Sequence, residues 1–342
     1  MTTVFVTGGS GLLGRALVER LVAGGREVVA LARTEPAAEA LAALGARDVL
    51  GDVLDPGSLE AAMRGCDLAF NVAGRNAMCL RDPRPMLRVN AEGPGNVLAA
   101  AARAGIRRVV HTSSAAAIGE RPGTVATEET EHRGWFLSAY ERSKVEGERA
   151  VFEMGLAHGV EVVCVNPSSV QGPPRVTGSA KLLIDFANGK LRTIVDTRLS
   201  IVDIADCVEG HVLAAERGRP GERYLLNGVT LTTREAVDML ARVSGVSRPV
   251  VTLPPVVTRM AGVAGALFGA ARRRDPLVCP ELVRVFLHGH HYDGSRAGRE
   301  LGLRYTPIEE TVRRTLTWYA EHGLVTKSMP GLSAGSAPLA AG

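Results

Sequence analysis

Short apolar, β-branched runs alternate along the first half of the chain with longer alanine-rich stretches. The runs at 4–7, 28–31, 49–51, 68–72, 109–113 and 160–166 predict strands, and the stretches at 11–23, 37–44, 56–63, 85–104 and 138–158 predict helices between them. Alternation at this spacing predicts an α/β fold, a doubly wound parallel sheet with right-handed crossovers. Val109-Val110 and Val162-Val163-Cys164-Val165 are apolar at successive positions, as strands covered on both faces are. Past Pro167 the pattern loosens: Gly172-Pro173-Pro174 interrupts the chain, and helices at 180–188, 203–216 and 233–244 mix with brief strands such as 224–227. The expected organisation is a sheet domain over 1–170, to which later segments return, and a smaller α/β lobe over 171–326 at the C-terminal edge of the sheet. The Gly-, Ser-, Ala- and Pro-rich tail over 327–342 has no periodicity and is expected to be disordered.

Composition narrows the class. With 342 residues, 46% of them hydrophobic, the chain can fill a full core. The most membrane-like stretch, 256–271, is short, carries Arg259 and runs into Arg272-Arg273-Arg274. It predicts a surface helix or a lid over a substrate pocket, with membrane-surface contact as the lesser reading and no transmembrane segment. The chain enters a strand at once, so no secretory leader is expected. Net charge is +4 from 40 basic and 36 acidic residues, and the basic residues are scattered without interleaved aromatics, so no nucleic-acid partner is implied. Cys66, Cys79, Cys164, Cys207 and Cys279 lie far apart with no CxxC pair, as expected of a reduced cytoplasmic protein with neither a disulfide frame nor a zinc site.

Two motifs carry the chemistry. Gly8, Gly11 and Gly14 sit between a predicted strand and helix, which suits a dinucleotide cradle: Gly8 for a tight turn, Gly11 for backbone approach to a pyrophosphate, Gly14 for close helix–sheet packing. The pyrophosphate would meet the free amides of the helix start. The second predicted strand ends without the acid that holds a ribose diol, whereas Arg33 can pair with a 2′-phosphate, so NADP is expected over NAD. Asp52, after the third strand, is placed to reach the adenine. Tyr140 and Lys144, four apart on a predicted helix, share a face. A free phenol titrates near pH 10, and a neighbouring ammonium favours its phenolate. Ser113-Ser114 at a strand end supplies a donor for a substrate oxygen. Together these residues predict hydride chemistry on a carbon–oxygen bond.

With those residues in place, the chain resembles the extended short-chain dehydrogenase/reductases, the broad NAD-dependent epimerase/dehydratase family, over about residues 3 to 322. The landmarks are TGGSGLLG at 7–14, Gly51-Asp52-Val53, Asn71-Val72-Ala73-Gly74, Asn90 with Gly93, HTSSAAAIG at 111–119, YERSK at 140–144 and NPSSVQGP at 166–173. Within the family it is similar to the dihydroflavonol-4-reductase-like branch, which includes proteins labelled hopanoid-associated sugar epimerases. The resemblance implies Ser114 as the catalytic hydroxyl, Tyr140 as acid/base and Lys144 as its activator. It implies cofactor contacts from Thr7, Gly8, Gly11, Leu12, Leu13, Gly14, Arg33, Asp52, Val53, Ala73, Gly74, Asn90, Ser113, Tyr140, Lys144, Pro167 and Ser168, the last two beside the nicotinamide amide. It also implies a homodimer through the helices at 85–104 and 138–158.

One departure is informative. Nucleotide-sugar members often carry an Arg-Asp-Phe/Tyr segment before the motif that here spans 201–206; Leu199-Ser200-Ile201 stands there, with Arg198 one place off. The expected function is therefore NADP-dependent reduction of a ketone, or oxidation of a secondary alcohol, on a small to medium-sized, fairly apolar substrate. The alternatives are an NAD-dependent sugar epimerase or dehydratase that retains its cofactor, and a catalytically silent dinucleotide sensor. His288, His290 and His291 cluster with Tyr292, but the pattern shows no carboxylate or cysteine partner, so no metal is expected. Asp293-Gly294-Ser295 is expected to cap a helix, Trp135 and Phe136 to face substrate or core, and 75–86 to border the substrate.

Overall fold

The computed structural model describes residues 2–247 and 249–333. In chain order the first half comprises β1 (Thr3–Thr7), α1 (Leu12–Ala23), β2 (Glu27–Ala32), α2 (Glu35–Ala42), β3 (Arg47–Leu50), α3 (Pro56–Met63), β4 (Leu68–Asn71), α4 (Arg84–Leu87), α5 (Gly93–Ala104), β5 (Arg108–Thr112), α6 (Ala139–His158) and β6 (Glu161–Pro167). There follow β7 (Ser169–Gln171), α7 (Ala180–Ala187), β8 (Thr193–Val195), β9 (Arg198–Asp203), α8 (Ile204–Arg217), β10 (Arg223–Leu226), β11 (Val229–Thr232) and α9 (Thr233–Ser244). The last elements are β12 (Val251–Leu253), α10 (Pro255–Ala271), α11 (Pro280–His288), α12 (Ile308–Glu321) and α13 (Pro330–Ser333).

Val4 and Val6 of β1 enter one core and Phe5 the other, and all three are fully buried. A strand wet on neither face needs helices on both sides, and the chain supplies them. Seven strands form one parallel sheet in the order β10-β6-β5-β4-β1-β2-β3. Leu17 of α1 and Val212 of α8 pack on the face of Val4, while Leu59 of α3, Leu98 of α5 and Val151 of α6 pack on the face of Phe5. Strand order reverses between β1 and β4, so the loops leaving the C-terminal ends of these strands diverge and open a crevice.

The predicted strands and helices of the first half are observed with ends shifted by a few residues. One helix differs: the stretch expected at 85–104 runs as α4, a π-helical turn over Arg88–Glu92, and α5. Downstream, the strand expected in the smaller lobe at 224–227 belongs instead to the main sheet, where β10 pairs with β6 as an edge strand. Its residues Tyr224, Leu225 and Leu226 are fully buried, which a peripheral strand would not be. The small sheet β11-β9-β7 and the pair β12-β8 lie outside it. A third core joins Phe186 of α7, Leu240 of α9, and Leu316 and Tyr319 of α12. The expected disordered tail is corrected at its start: Met329 is buried in this core and Leu332 packs against it. Residues 334–342 lie outside the described residues.

The cysteine expectation is also corrected. Cys79, in the loop after β4, and Cys279, the N-cap of α11, form a disulfide across 200 positions of sequence. No spacing motif could signal a pair so distant, and the cysteines no longer argue for a reducing compartment. Cys66, Cys164 and Cys207 are free and buried. Thiol titration of the unreduced, denatured chain is expected to find the three free thiols, rising to all five after reduction; five without reductant would show that the pair does not form.

Candidate active site at the C-terminal ends of the parallel strands

The turn after β1 is built for backbone proximity. Gly8 is left-handed, with φ of +71°, and a Cβ there would lie 2.6 Å from the Ala73 amide nitrogen. A Cβ on Gly14 would come within 2.1 Å of the Gly8 carbonyl oxygen, so α1 can start this close only with glycine at that position. Gly11 is the N-cap of α1 and offers no side-chain cap, leaving the first amides of the helix, at Leu12 and Leu13, for a ligand to satisfy. Thr7 Oγ1 donates to Asn71 Oδ1 at 2.8 Å and accepts from the Ala73 amide at 3.1 Å, clamping the loop after β4 beside the turn. Arg33 and Thr34 follow β2, and Arg33 is exposed. Asp52 Oδ1 accepts from the Leu54 amide at 2.9 Å, Val53 packs on Gly93, and the Val53 carbonyl accepts from Asn96.

On the other side of the crevice stands α6. Ser138 caps it, accepting from the Glu141 amide at 3.0 Å, and Tyr140 and Lys144 follow on its inward face. Lys144 Nζ donates to the Thr112 carbonyl at the end of β5 at 3.0 Å. The same ammonium stands 3.3 Å from where a Cβ on Gly74 would be, so a side chain at 74 would crowd it. Burial lowers the Lys144 pKa to about 8, with the charges of Glu148 and Cys164 acting against the shift. Tyr140 is only 9% exposed. Burial raises its phenol above the ordinary value, while a hydrogen bond with Ser114 and the charge of Arg175 pull the other way. Arg175, in the loop after β7, is a cation near the phenol that the sequence did not single out.

The asparagine of the π-helical turn binds two neighbouring segments together. Asn90 Oδ1 accepts from the Arg75 amide, and its Nδ2 donates to the Arg75 carbonyl and to Ser143 Oγ, at 2.8, 2.8 and 2.9 Å. A Cβ on Gly147 would sit 2.1 Å from the Asn90 carbonyl, so α6 packs directly onto the turn. Asn90 therefore fixes the loop after β4 against the helix that carries Tyr140 and Lys144. Asn166, on β6, likewise donates to the Ser114 carbonyl at 3.0 Å and to Glu148 Oε2 at 2.6 Å. Asn166 opens the NPSSVQGP landmark without a stated role and Glu148 stands in no motif, because their roles appear only once β5, β6 and α6 are side by side.

Several polar atoms at these strand ends are buried without partners. Ser113 Oγ and Ser168 Oγ have none, although the backbone amides of both residues bond neighbouring strands. A buried hydroxyl left unsatisfied costs about 1–3 kcal/mol, so such atoms mark places where a ligand group is wanted. With the uncapped α1 amides and the small residues Ala73, Gly74 and Pro167, they fit a dinucleotide laid across the switch point.

Beside this crevice, Glu120 supplies the carboxylate that the histidine pattern lacked. Its Oε1 lies 2.6 Å from His290 Nδ1 and 3.5 Å from His288 Nε2, and Tyr292 Oη lies 2.9 Å from His290 Nδ1. Burial pushes the Glu120 carboxyl up, but the two imidazole hydrogen bonds outweigh it and hold the pKa at about 2. These three residues could in principle surround an ion. Ligands at about 2.1 Å in a tetrahedral shell stand roughly 3.4 Å apart, so the 2.6 Å contact is that of a hydrogen bond. Asp293 closes a local turn, accepting from the Ser295 amide at 2.8 Å, while the helical turn that follows has Arg296 at its N-cap and no side-chain cap. Trp135 and Phe136 are exposed, which removes the core alternative.

Comparison with known proteins agrees with this geometry. Residues 4–226 match the NAD dependent epimerase/dehydratase family. The chain is 32% identical over 337 residues to sterol demethylase protein B of Methylococcus capsulatus, covering 94% of this chain and 100% of that one. It is 32% identical over 304 residues to 4-hydroxy-2-methyl-3-oxo-4-farnesyl-3,4-dihydroquinoline-1-oxide ketoreductase of Stigmatella aurantiaca, covering 87% of this chain and 90% of that one. The crystal structure of gox2253 is similar with a TM-score of 0.83 and 29% identity, covering 95% of this chain and 100% of that one. A parallel sheet with its crevice at the strand-order reversal, matched over this much of its length, makes the chain a member of the NAD dependent epimerase/dehydratase family and an NAD(P)-dependent enzyme of the extended short-chain dehydrogenase/reductase type.

Proposed function

We propose that the chain is an NADP-dependent reductase that converts a ketone on a medium-sized apolar molecule to a secondary alcohol, or runs the reverse. The observation that supports this reading is the hydrogen bond of Tyr140 with Ser114, with Lys144 one turn along the same helix and its ammonium on the carbonyl that ends β5. When bound, the nicotinamide cofactor supplies the hydride. Tyr140 gives its phenolic proton to the substrate oxygen as the alcohol forms and recovers one from solvent. Ser114 holds that oxygen in line with the phenol. Lys144 reaches the ribose hydroxyls while its charge, with that of Arg175, favours the phenolate left behind. Exposed Arg33 receives the 2′-phosphate. Arg198, the candidate grip on a nucleoside diphosphate, is instead paired with His291 Nδ1 at 2.8 Å. For the apolar substrate, support comes from relatives named for a sterol demethylase protein and a farnesyl-bearing ketone.

Tyr140→Phe is expected to lower kcat on the order of 10²–10⁴-fold with an unchanged melting profile; a loss under tenfold sinks the assignment. Arg33→Ala should raise the KM for NADPH about tenfold or more, equivalent to roughly 1.4 kcal/mol, and leave that for NADH unchanged. Tightly copurifying NAD, indifferent to Arg33, would redirect the search to epimerisation or dehydration. Because Lys144 loses its proton near pH 8 in the free protein, NADPH affinity should fall as pH rises through about 8. Lys144→Met should bind weakly at every pH, and a wild-type profile flat from pH 7 to 9 would count against the ammonium as a ribose anchor.

A further inference from the structure

Helix α10 is packed the wrong way round for a helix in water. Its glycines face inward: a Cβ on Gly262, Gly265 or Gly269 would lie 2.9, 2.3 or 2.9 Å from Val283, Val278 or Arg274 and Pro276. Val256, Met260, Val263 and Leu267, spaced by four, three and four residues, form a single stripe on the exposed side, with Phe268 beside it. Met260 and Leu267 are each 67% exposed, and Leu277, in the turn to α11, is 95% exposed. Burial of such a stripe is strongly favourable, so the face is built to be covered.

Charge says by what. The segment 251–278 holds Arg259, Arg272, Arg273 and Arg274 against one acid, Asp275, which already accepts from the Arg81 amide at 2.8 Å. A second copy would set these four arginines against their counterparts, with Asp275 the one carboxylate of the segment to offset them. An anionic lipid surface offers apolar depth and negative headgroups together. The helix has 17 residues, and no helix among the described residues is long and apolar enough to cross a membrane, so insertion stops in the interfacial layer.

We propose that the α10–α11 hairpin docks on an anionic membrane surface, with the Val256–Leu267 stripe among the acyl chains and Arg272, Arg273 and Arg274 at the phosphates. The hairpin is tied to the candidate active site. Glu281 of α11 accepts from the amide of Cys79 at 2.8 Å through one oxygen and from that of Ala139, next to Tyr140, at 2.7 Å through the other. The Cys79–Cys279 disulfide repeats the connection. Docking would thus bring the loop after β4 and the start of α6 toward lipid, where an apolar ketone partitions. That last step rests on the function proposed above; the docking itself does not.

The test is flotation of the full chain, without cofactor or substrate, on phosphatidylcholine vesicles with and without 30% phosphatidylglycerol. Wild type should float with the anionic vesicles and be released progressively by salt. At about fivefold per arginine near an anionic leaflet, replacing Arg272, Arg273 and Arg274 together by Ala should weaken partitioning on the order of a hundredfold. Leu267→Asp should weaken it at least tenfold, while melting profiles of both variants match wild type because all four positions are exposed. Met260→Trp gives a readout independent of these losses: its emission should shift blue on anionic vesicles. Wild type that floats with neither vesicle, with no shift for Met260→Trp, overturns the proposal. So does a wild-type dimer that Leu267→Asp dissociates, which would assign the face to a second copy. Either failure leaves the hydride-transfer reading standing, since no step of the test uses the cofactor.

Discussion

A buried ammonium group is the point on which the site depends. Lys144 Nζ, held by the carbonyl that ends β5 and standing against Gly74, joins three segments that share no local sequence: α6, the end of β5 and the loop after β4. A charge so placed is tolerable only where its surroundings are fixed, because the cost of burying it is recovered through short, specific contacts. The surrounding network supplies that fixity. Asn90 pins the loop, Thr7 pins it from the other side, and Glu148 lends opposite charge from one turn further along α6. Ser113 and Ser168, at the ends of strands this network joins, each keep a buried hydroxyl without a partner.

Much of the fold was legible because its signals are local. The doubly buried strands declare themselves as unbroken apolar runs, and Gly8 and Gly14 stand where their missing side chains are required by backbone only a few residues, or one strand, away. Tyr140 and Lys144 could be paired from the pitch of a helix alone. What stayed hidden depends on contacts between distant segments. Glu120 meets His288 and His290 from about 170 positions away, and the Cys79–Cys279 pair is more distant still. The assignment of 224–227 to the smaller lobe failed because it followed sequence proximity, whereas the open edge of β6 offered hydrogen bonds that β10 takes up as a parallel strand.

Helix α10 shows the opposite case, in which local pattern was read correctly and its orientation was not available. A stretch with glycine every three or four residues on one side and large apolar groups on the other can bury either side. The tight approach of its glycines to the segment after it decides the matter, and the bulky side is left outward. Such a choice is made by packing, not by propensity.

The position of β10 has a mechanical consequence. The chain leaves the main sheet at β6, builds β7 and β9 outside it, returns through α8 to lay β10 on the edge, and leaves again for β11. A body threaded back and forth in this way has no single pivot: swinging one half away from the other would require several crossings to bend at once. Opening wide enough to admit a bulky molecule is therefore confined to what hangs outside those crossings, so that the periphery carries the motion and the sheet carries the alignment.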